Sequence, residues 1–229
     1  MLEFLRTAVL EANRALGDRG LAPFTFGNAS AVDRERGLVV IKPSGVAYDA
    51  MRSDDLVITD LEGRVVEGTL RPSSDLPTHL VLYRAFHSVG GIVHTHSHFA
   101  TAWAQARREI PCFGTTHADY FHGPIPVTDP LTPHEIAVDY EANTGEVIVR
   151  RFRGLDPAAM PAVLVASHAS FCWGPTVESA VHTASVLEEV ASMAYHTLAI
   201  EAGAEAIDQA LHDKHFLRKH GPDAYYGQH

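Results

Sequence analysis

Gly90-Gly-Ile-Val-His-Thr-His96 is a short apolar stretch that ends in two histidines one residue apart. Its apolar run reads as a buried strand. Side chains alternate between the two faces of a strand, so His94 and His96 share a face and suit one metal ion. A bare His-x-His motif is a weak signal, because most of the chain's fifteen histidines must be ordinary surface or core residues. Outward from this strand, residues 78–86 read as a helix on one side. On the other side residues 98–107 read as a second helix, capped by Ser97. His98 then leaves the strand alternation and points away from the metal.

Further out, Leu2, Leu5, Val9, Leu10, Ala12 and Leu16 recur at helical spacing, and this first helix ends near Gly17 and Gly20. Two hairpins follow, 24–32 with 38–41 and 56–58 with 65–66, the second around the turn Glu62-Gly63. On the far side, Thr132-Pro-His-Glu135 combines a capping Thr, Pro at the first helical position and Glu three residues on. It predicts a helix to about residue 143. Residues 147–152 and 162–166 are predicted as strands and 178–201 as a long helix. Gly203 ends that helix, and residues 204–219 form the last one. Strands gathered early and helices covering them later predict an α/β fold with a mostly antiparallel central sheet sandwiched between helix layers. With 229 residues, 46% of them hydrophobic, the chain can bury a substantial core, and residues 1–229 are read as one domain.

A formal charge of −10 with no Lys/Arg block disfavours nucleic acid and anionic membranes as partners. An anionic substrate must then meet a local positive site. Cys112 and Cys172 give neither a disulfide framework nor a thiolate zinc knuckle. The start of the chain lacks the basic-then-apolar pattern of a signal peptide, and the cytoplasm is the expected compartment.

Asp75, closing Pro72-Ser-Ser-Asp75, and His168, after the apolar run 162–166, each sit where a loop meets regular structure. With His94 and His96 they would give three imidazoles and a carboxylate, a normal shell for zinc, manganese or cobalt. Taken alone, Asp75 reads better as a turn carboxylate and His168 as a core histidine. No second ligand set is apparent. Gly27-Asn28, Lys42-Pro-Ser-Gly45 and Ser73-Ser74 offer N–H groups, hydroxyls and a cation that suit a phosphate. The same residues also suit hairpins and turns.

The order and spacing of several stretches make the chain resemble, from end to end, the L-ribulose-5-phosphate 4-epimerases of the class II aldolase family. These stretches are Gly27-Asn-Ala-Ser30, Ile41-Lys-Pro-Ser-Gly45, Pro72-Ser-Ser-Asp75 with Pro77-Thr-His79, the strand at 90–96, Thr115-Thr-His-Ala-Asp-Tyr120, Val186-Leu-Glu-Glu-Val190 and the tail Ala224-Tyr-Tyr-Gly-Gln228. The resemblance implies one class II aldolase-like domain and one divalent ion per chain. That ion would be held by His94, His96 and His168, with Asp75 as a fourth and weaker ligand. Zinc is first choice, with manganese or cobalt as alternatives. It also implies substrate contacts at Gly27, Asn28, Lys42, Ser44, Gly45, Ser73 and Ser74. The reaction would be retro-aldol cleavage and re-addition between C3 and C4 of a pentulose phosphate, with the metal as Lewis acid. Asp119 and Tyr226 would exchange the proton at O4 on its two faces, Tyr226 reaching the site of a neighbouring subunit in a homotetramer. His215 and Arg218 on the last helix either help at that junction or belong to an exposed helix face. Without the resemblance, Asp119 reads as a solvated loop carboxylate and Tyr226 as a tail aromatic.

Two other readings compete. A class II sugar-phosphate aldolase would release dihydroxyacetone phosphate and an aldehyde, but related aldolases carry Glu at the position of Asp75, and Asp75 and Tyr226 argue for the epimerase. A non-enzymatic module with this fold would lack the ligands that are all present here.

Overall fold

The computed structural model describes residues 2–226, so Gly227 and Gln228 of the tail motif lie outside the described residues. Helix α1 (Leu2–Asp18) leads into strands β1 (Gly27–Asp33), β2 (Leu38–Ile41), β3 (Val57–Asp60) and β4 (Val65–Glu67). Then come α2 (Leu76–Ala85), β5 (Gly91–Thr95), α3 (His98–Ala106) and α4 (Thr115–Ala118). Helices α5 (Pro133–Ala137) and α6 (Tyr140–Arg151), strands β6 (Ala162–Leu164) and β7 (Ser170–Gly174), and helices α7 (Val177–Ile200) and α8 (Gln209–His220) complete the chain. The strands form one sheet in the order β4-β3-β2-β1-β5-β7-β6, each neighbouring pair antiparallel.

The pleat of β5 decides what each face carries. Gly91 has no room for a side chain on the α7 side, where a Cβ would meet the Val177 Cα at 2.3 Å. Helix α7 therefore lies directly on the strand backbone. The alternate residues of β5, Ile92 and His94, face the other way. There His79 and Tyr83 of α2 meet Ser30 of β1, and His79 packs edge-on against Phe171. Helices thus cover both faces, as the α/β sandwich expectation has it, and the imidazole of His94 lies on the α2 side.

Three local expectations are corrected. Residues 147–152 are the second half of α6 and its cap rather than a strand. The β-branched run Val147-Ile-Val149 mimics a strand, yet Val147 and Ile148 are buried together on a helical face while Val149 is only partly covered. The helix that starts at Thr132 has the capping box as read, but it stops at Ala137 and restarts after Asp139, whose left-handed φ of 52° breaks it. The last helix begins at Gln209, capped by the Asp208 carboxylate on the Ala210 N–H at 2.8 Å, not at residue 204. Strand β7 and the short helix α4 were not foreseen.

Ser97 stands at the N-cap of α3 with extended backbone but makes no capping bond. Glu188 of α7 does the capping instead, accepting from the N–H groups of Phe99 at 2.8 Å and Ala100 at 3.0 Å.

Candidate metal centre and active site

Strand β5 delivers His94, and His96 follows just past its end. His168 arrives from the β6–β7 turn, where Ser167 takes a left-handed φ of 63°. The three rings form a near-equilateral triangle, with centroids 4.9, 5.0 and 5.0 Å apart. Their ligand nitrogens all lie within 4.8 Å of one another.

Each ring is held in place by its surroundings. His94 Nδ1–H donates to the Ser170 carbonyl at 2.9 Å, which leaves the Nε2 lone pair free, and the ring stacks on Phe171 at 4.3 Å. An outer hydrogen bond of this kind commonly fixes the tautomer of a metal-binding histidine. Burial, with the nearby His94, pushes His96 and His168 down to about 4. His168 Nδ1 is buried without a hydrogen-bond partner among the described residues. Three converging imidazoles, one with an unsatisfied nitrogen, fit a zinc-class divalent ion.

Asp75 stands beside this triangle, but the three-imidazole group does not include it. Its Oδ2 accepts from Asn28 Nδ2 at 2.6 Å. Burial raises its pKa, but His94, His79 and the Asn28 bond outweigh that and hold it below the usual carboxylate range. The same Asn28 amide donates to Ser73 Oγ at 3.0 Å. Backbone bonds from Ser73 N to Lys42 O and from Ser44 N to Arg71 O, each 2.9 Å, join the 42–45 and 71–74 loops. Gly27, Asn28, Ser44, Gly45, Ser73 and Ser74 therefore belong to one neighbourhood. Ser44, Gly45 and Ser74 are open to solvent. Gly27 comes so near β5 that a Cβ there would sit 2.5 Å from the His94 carbonyl. Lys42 is placed differently from the simplest expectation. It is buried under its own turn, donates to Val46 O at 2.6 Å and Pro43 O at 3.2 Å, and has its pKa lowered by burial.

Behind the triangle runs a buried relay that spacing does not reveal. The Tyr83 hydroxyl lies 2.8 Å from Ser30 Oγ, itself 2.7 Å from His79 Nδ1. Ser30 thus engages Nδ1 of His79 and leaves the other ring nitrogen, Nε2, outside the relay. That nitrogen is buried and without a partner among the described residues. Burial holds His79 down at about 3.

A second cluster forms around Asp119. Arg218 and His215 of α8 both bond its carboxylate, and Lys219 stands 3.5 Å away. Burial raises the Asp119 pKa, but these partners together hold it low. The ring of Tyr226 lies 4.6 Å from the Arg218 guanidinium and 4.7 Å from Lys219 Nζ, and it is 55% exposed. His215 and Arg218 therefore both reach Asp119. Among the described residues no hydrogen bond or ion pair links this cluster to the imidazole triangle.

Residues 7–195 match the family model for the class II aldolase and adducin N-terminal domain, and the chain belongs to that family. Curated relatives from Salmonella paratyphi A and Salmonella typhi are each 54% identical over 227 residues, 99% of this chain and the whole of the relative. Both are named L-ribulose-5-phosphate 4-epimerase UlaF. Among solved structures, an L-fuculose 1-phosphate aldolase matches with a TM-score of 0.77 at 24% identity, over 92% of this chain and 93% of that one. An aldolase II superfamily protein from Pseudomonas syringae also scores 0.77, at 15% identity, over 97% and 88%. These two likenesses establish the fold. Among the described residues no helix is long and apolar enough to cross a membrane.

Proposed function

We propose that this protein is an L-ribulose-5-phosphate 4-epimerase, interconverting L-ribulose 5-phosphate and D-xylulose 5-phosphate. The observation that carries this reading is the three-imidazole triangle beside Asp75, in a chain 54% identical over full length to relatives of that name. The aldolase alternative rests only on structures at 24% identity or less, which speak to the fold.

The hydrogen at C4 is not acidic, so inversion requires the C3–C4 bond to break and re-form. His94, His96 and His168 would hold a divalent ion, zinc or else manganese or cobalt, which when bound would supply Lewis-acid stabilisation of the developing charge, worth several kcal/mol in such reactions. Asp75, tied to Asn28, adds a negative group at the edge of that site as a fourth, weaker ligand. Gly27, Asn28, Ser44, Gly45, Ser73 and Ser74 offer N–H and hydroxyl donors to the phosphate, and Lys42 adds its charge from beneath the turn. Asp119, kept ionised by Arg218 and His215, takes and returns the O4 proton on one face, and Tyr226 does so on the other. The separation of the Asp119 cluster from the triangle supports a site shared between subunits of a homotetramer. One sheet with a continuous core supports reading residues 1–229 as one class II aldolase-like domain. The composition and the metabolic relatives support a cytoplasmic enzyme.

The test is to supply L-ribulose 5-phosphate with a divalent metal and to measure D-xylulose 5-phosphate and any free aldehyde. Xylulose phosphate without accumulated aldehyde is the expected result. Steady aldehyde release without epimer would assign the chain to the aldolases.

A further inference from the structure

Away from the triangle, the fold brings together His122, from the segment after α4, with His212 and Asp213 of α8. His122 Nε2 and His212 Nδ1 each lie 3.4 Å from the same oxygen, Asp213 Oδ1. The three ligand atoms all fall within 4.8 Å of one another. An imidazole N–H bonded to a carboxylate closes to about 2.7–2.9 Å. By contrast, 3.4 Å matches the edge of a tetrahedron built on metal bonds of about 2.0–2.1 Å.

The amide of Gln209, an exposed residue, lies at this cluster, with Nε2 2.7 Å from Asp213 Oδ1 and 3.4 Å from His212 Nδ1, and an ion would displace it into solvent. His212 is buried, while His122 and Asp213 are about half exposed, so the mouth opens to solvent. His212 Nε2 lies 3.1 Å from the Phe121 carbonyl and 3.0 Å from the Gly123 N–H. In one tautomer Nε2 accepts from Gly123 and Nδ1–H turns to Asp213. In the other, Nε2–H donates to Phe121 and the Nδ1 lone pair faces His122 and Asp213. A cation would select the second, which gives up the bond from the Gly123 N–H to Nε2.

We propose that His122, His212 and Asp213 form a second site for a zinc-class divalent ion, with water completing the shell. Two imidazoles and one carboxylate favour zinc, cobalt, nickel or copper over magnesium or calcium. The half-exposed ligands make it weaker than the imidazole triangle. Filling it would join the 119–123 segment to α8, one helical turn from where His215 bonds Asp119.

The test is to count ions per chain in metal-stripped protein dialysed against graded free Zn2+. Two per chain at high free zinc and one at low free zinc is the expected result. His122→Ala and Asp213→Asn should each lose the weaker ion and keep the tighter one, and His96→Asn should do the reverse. In the His96→Asn protein, Co2+ should give the visible absorption of a tetrahedral site, lost on adding His122→Ala. Saturation of the unaltered protein at one ion per chain would overturn the proposal. So would a second ion retained in both His122→Ala and Asp213→Asn, and these two comparisons stand even if His96→Asn fails to fold.

Discussion

Arg218 grips Asp119 with both prongs of its guanidinium. Nη2 lies 2.9 Å from Oδ1 and 2.8 Å from Oδ2, and Nε lies 3.1 Å from Oδ1. The ring of Tyr226 lies over the same guanidinium. The last helix therefore fixes both proposed proton-transfer groups through one side chain, and a carboxylate held this way is ionised at neutral pH.

Replacing Asp119 by Asn keeps much of that geometry and removes the proton acceptor. Turnover should fall by about 10²–10⁴-fold, the usual range for a lost acid/base group, with metal content and melting temperature nearly unchanged. Turnover within a few-fold of normal would remove Asp119 from the mechanism, and loss of metal would reassign it to coordination.

Tyr226→Phe should lose epimerisation and remain oligomeric and metal-loaded. If the site is shared between subunits, mixing it with the triangle variant His168→Asn under conditions of subunit exchange should restore part of the activity, because some interfaces then pair an intact triangle with an intact Asp119–Tyr226 cluster. Hybrids seen by native mass spectrometry without recovered activity would place the whole site in one chain.

Stripping the protein with a strong chelator should abolish activity, and about one equivalent of zinc, manganese or cobalt should restore it. His168→Asn should cut affinity for that ion by at least about 10-fold, since it removes one of three imidazoles. Full activity in chelated protein shown by elemental analysis to be ion-free would rule out the metal-assisted route.

Buried histidines give the metal-free protein a pH-dependent stability. Burial holds His79 near 3 and His96, His117 and His168 near 4, all below the value of about 6.5 in an unfolded chain. As pH falls from about 6.5 towards 4, the unfolded state takes up protons that the folded state refuses. Stability present above 6.5 is therefore lost across that window. Melting temperature should drop steadily from pH 7 to 4.5. His117→Gln, which keeps a donor for the Gly123 carbonyl, should show a shallower slope. A flat profile in the unaltered protein would contradict the burial of these rings.

Gly91→Ala should be costly for one methyl group. Its Cβ would strike the Val177 backbone, and overpacking against backbone destabilises by about 1–3 kcal/mol or more. Urea denaturation should show a clearly lower midpoint with little change in slope. An unchanged midpoint would mean that α7 lifts freely off β5.

Much of this was legible because it is local. The strand before His94, the capping box at Thr132 and the first two hairpins are short-range periodicities, and the structure keeps them. Val147-Ile-Val149 misled because β-branched residues suit strands, whereas packing against α2 decides for a helix. Strand β7, Ser-Phe-Cys-Trp-Gly, is buried on both faces and so carries no alternation to read. The convergence of His168 with His94 and His96 was implied by resemblance, not by spacing. The relay from Tyr83 to His79, and the meeting of His122 with His212, join residues far apart in the chain and exist only once it is folded.

Glu188 sits on α7, behind the sheet from His94, yet it holds the first turn of α3, which begins two residues after His96. With Gly91 flush against Val177, the helix behind the sheet and the strand that aims the imidazoles have little freedom to shift separately. In a library of random variants, ion affinity and heat tolerance should therefore vary together for changes along this helix. Selection for a new substrate would find its freedom in the 42–45 and 71–74 loops, where side chains can change without disturbing the keel beneath them.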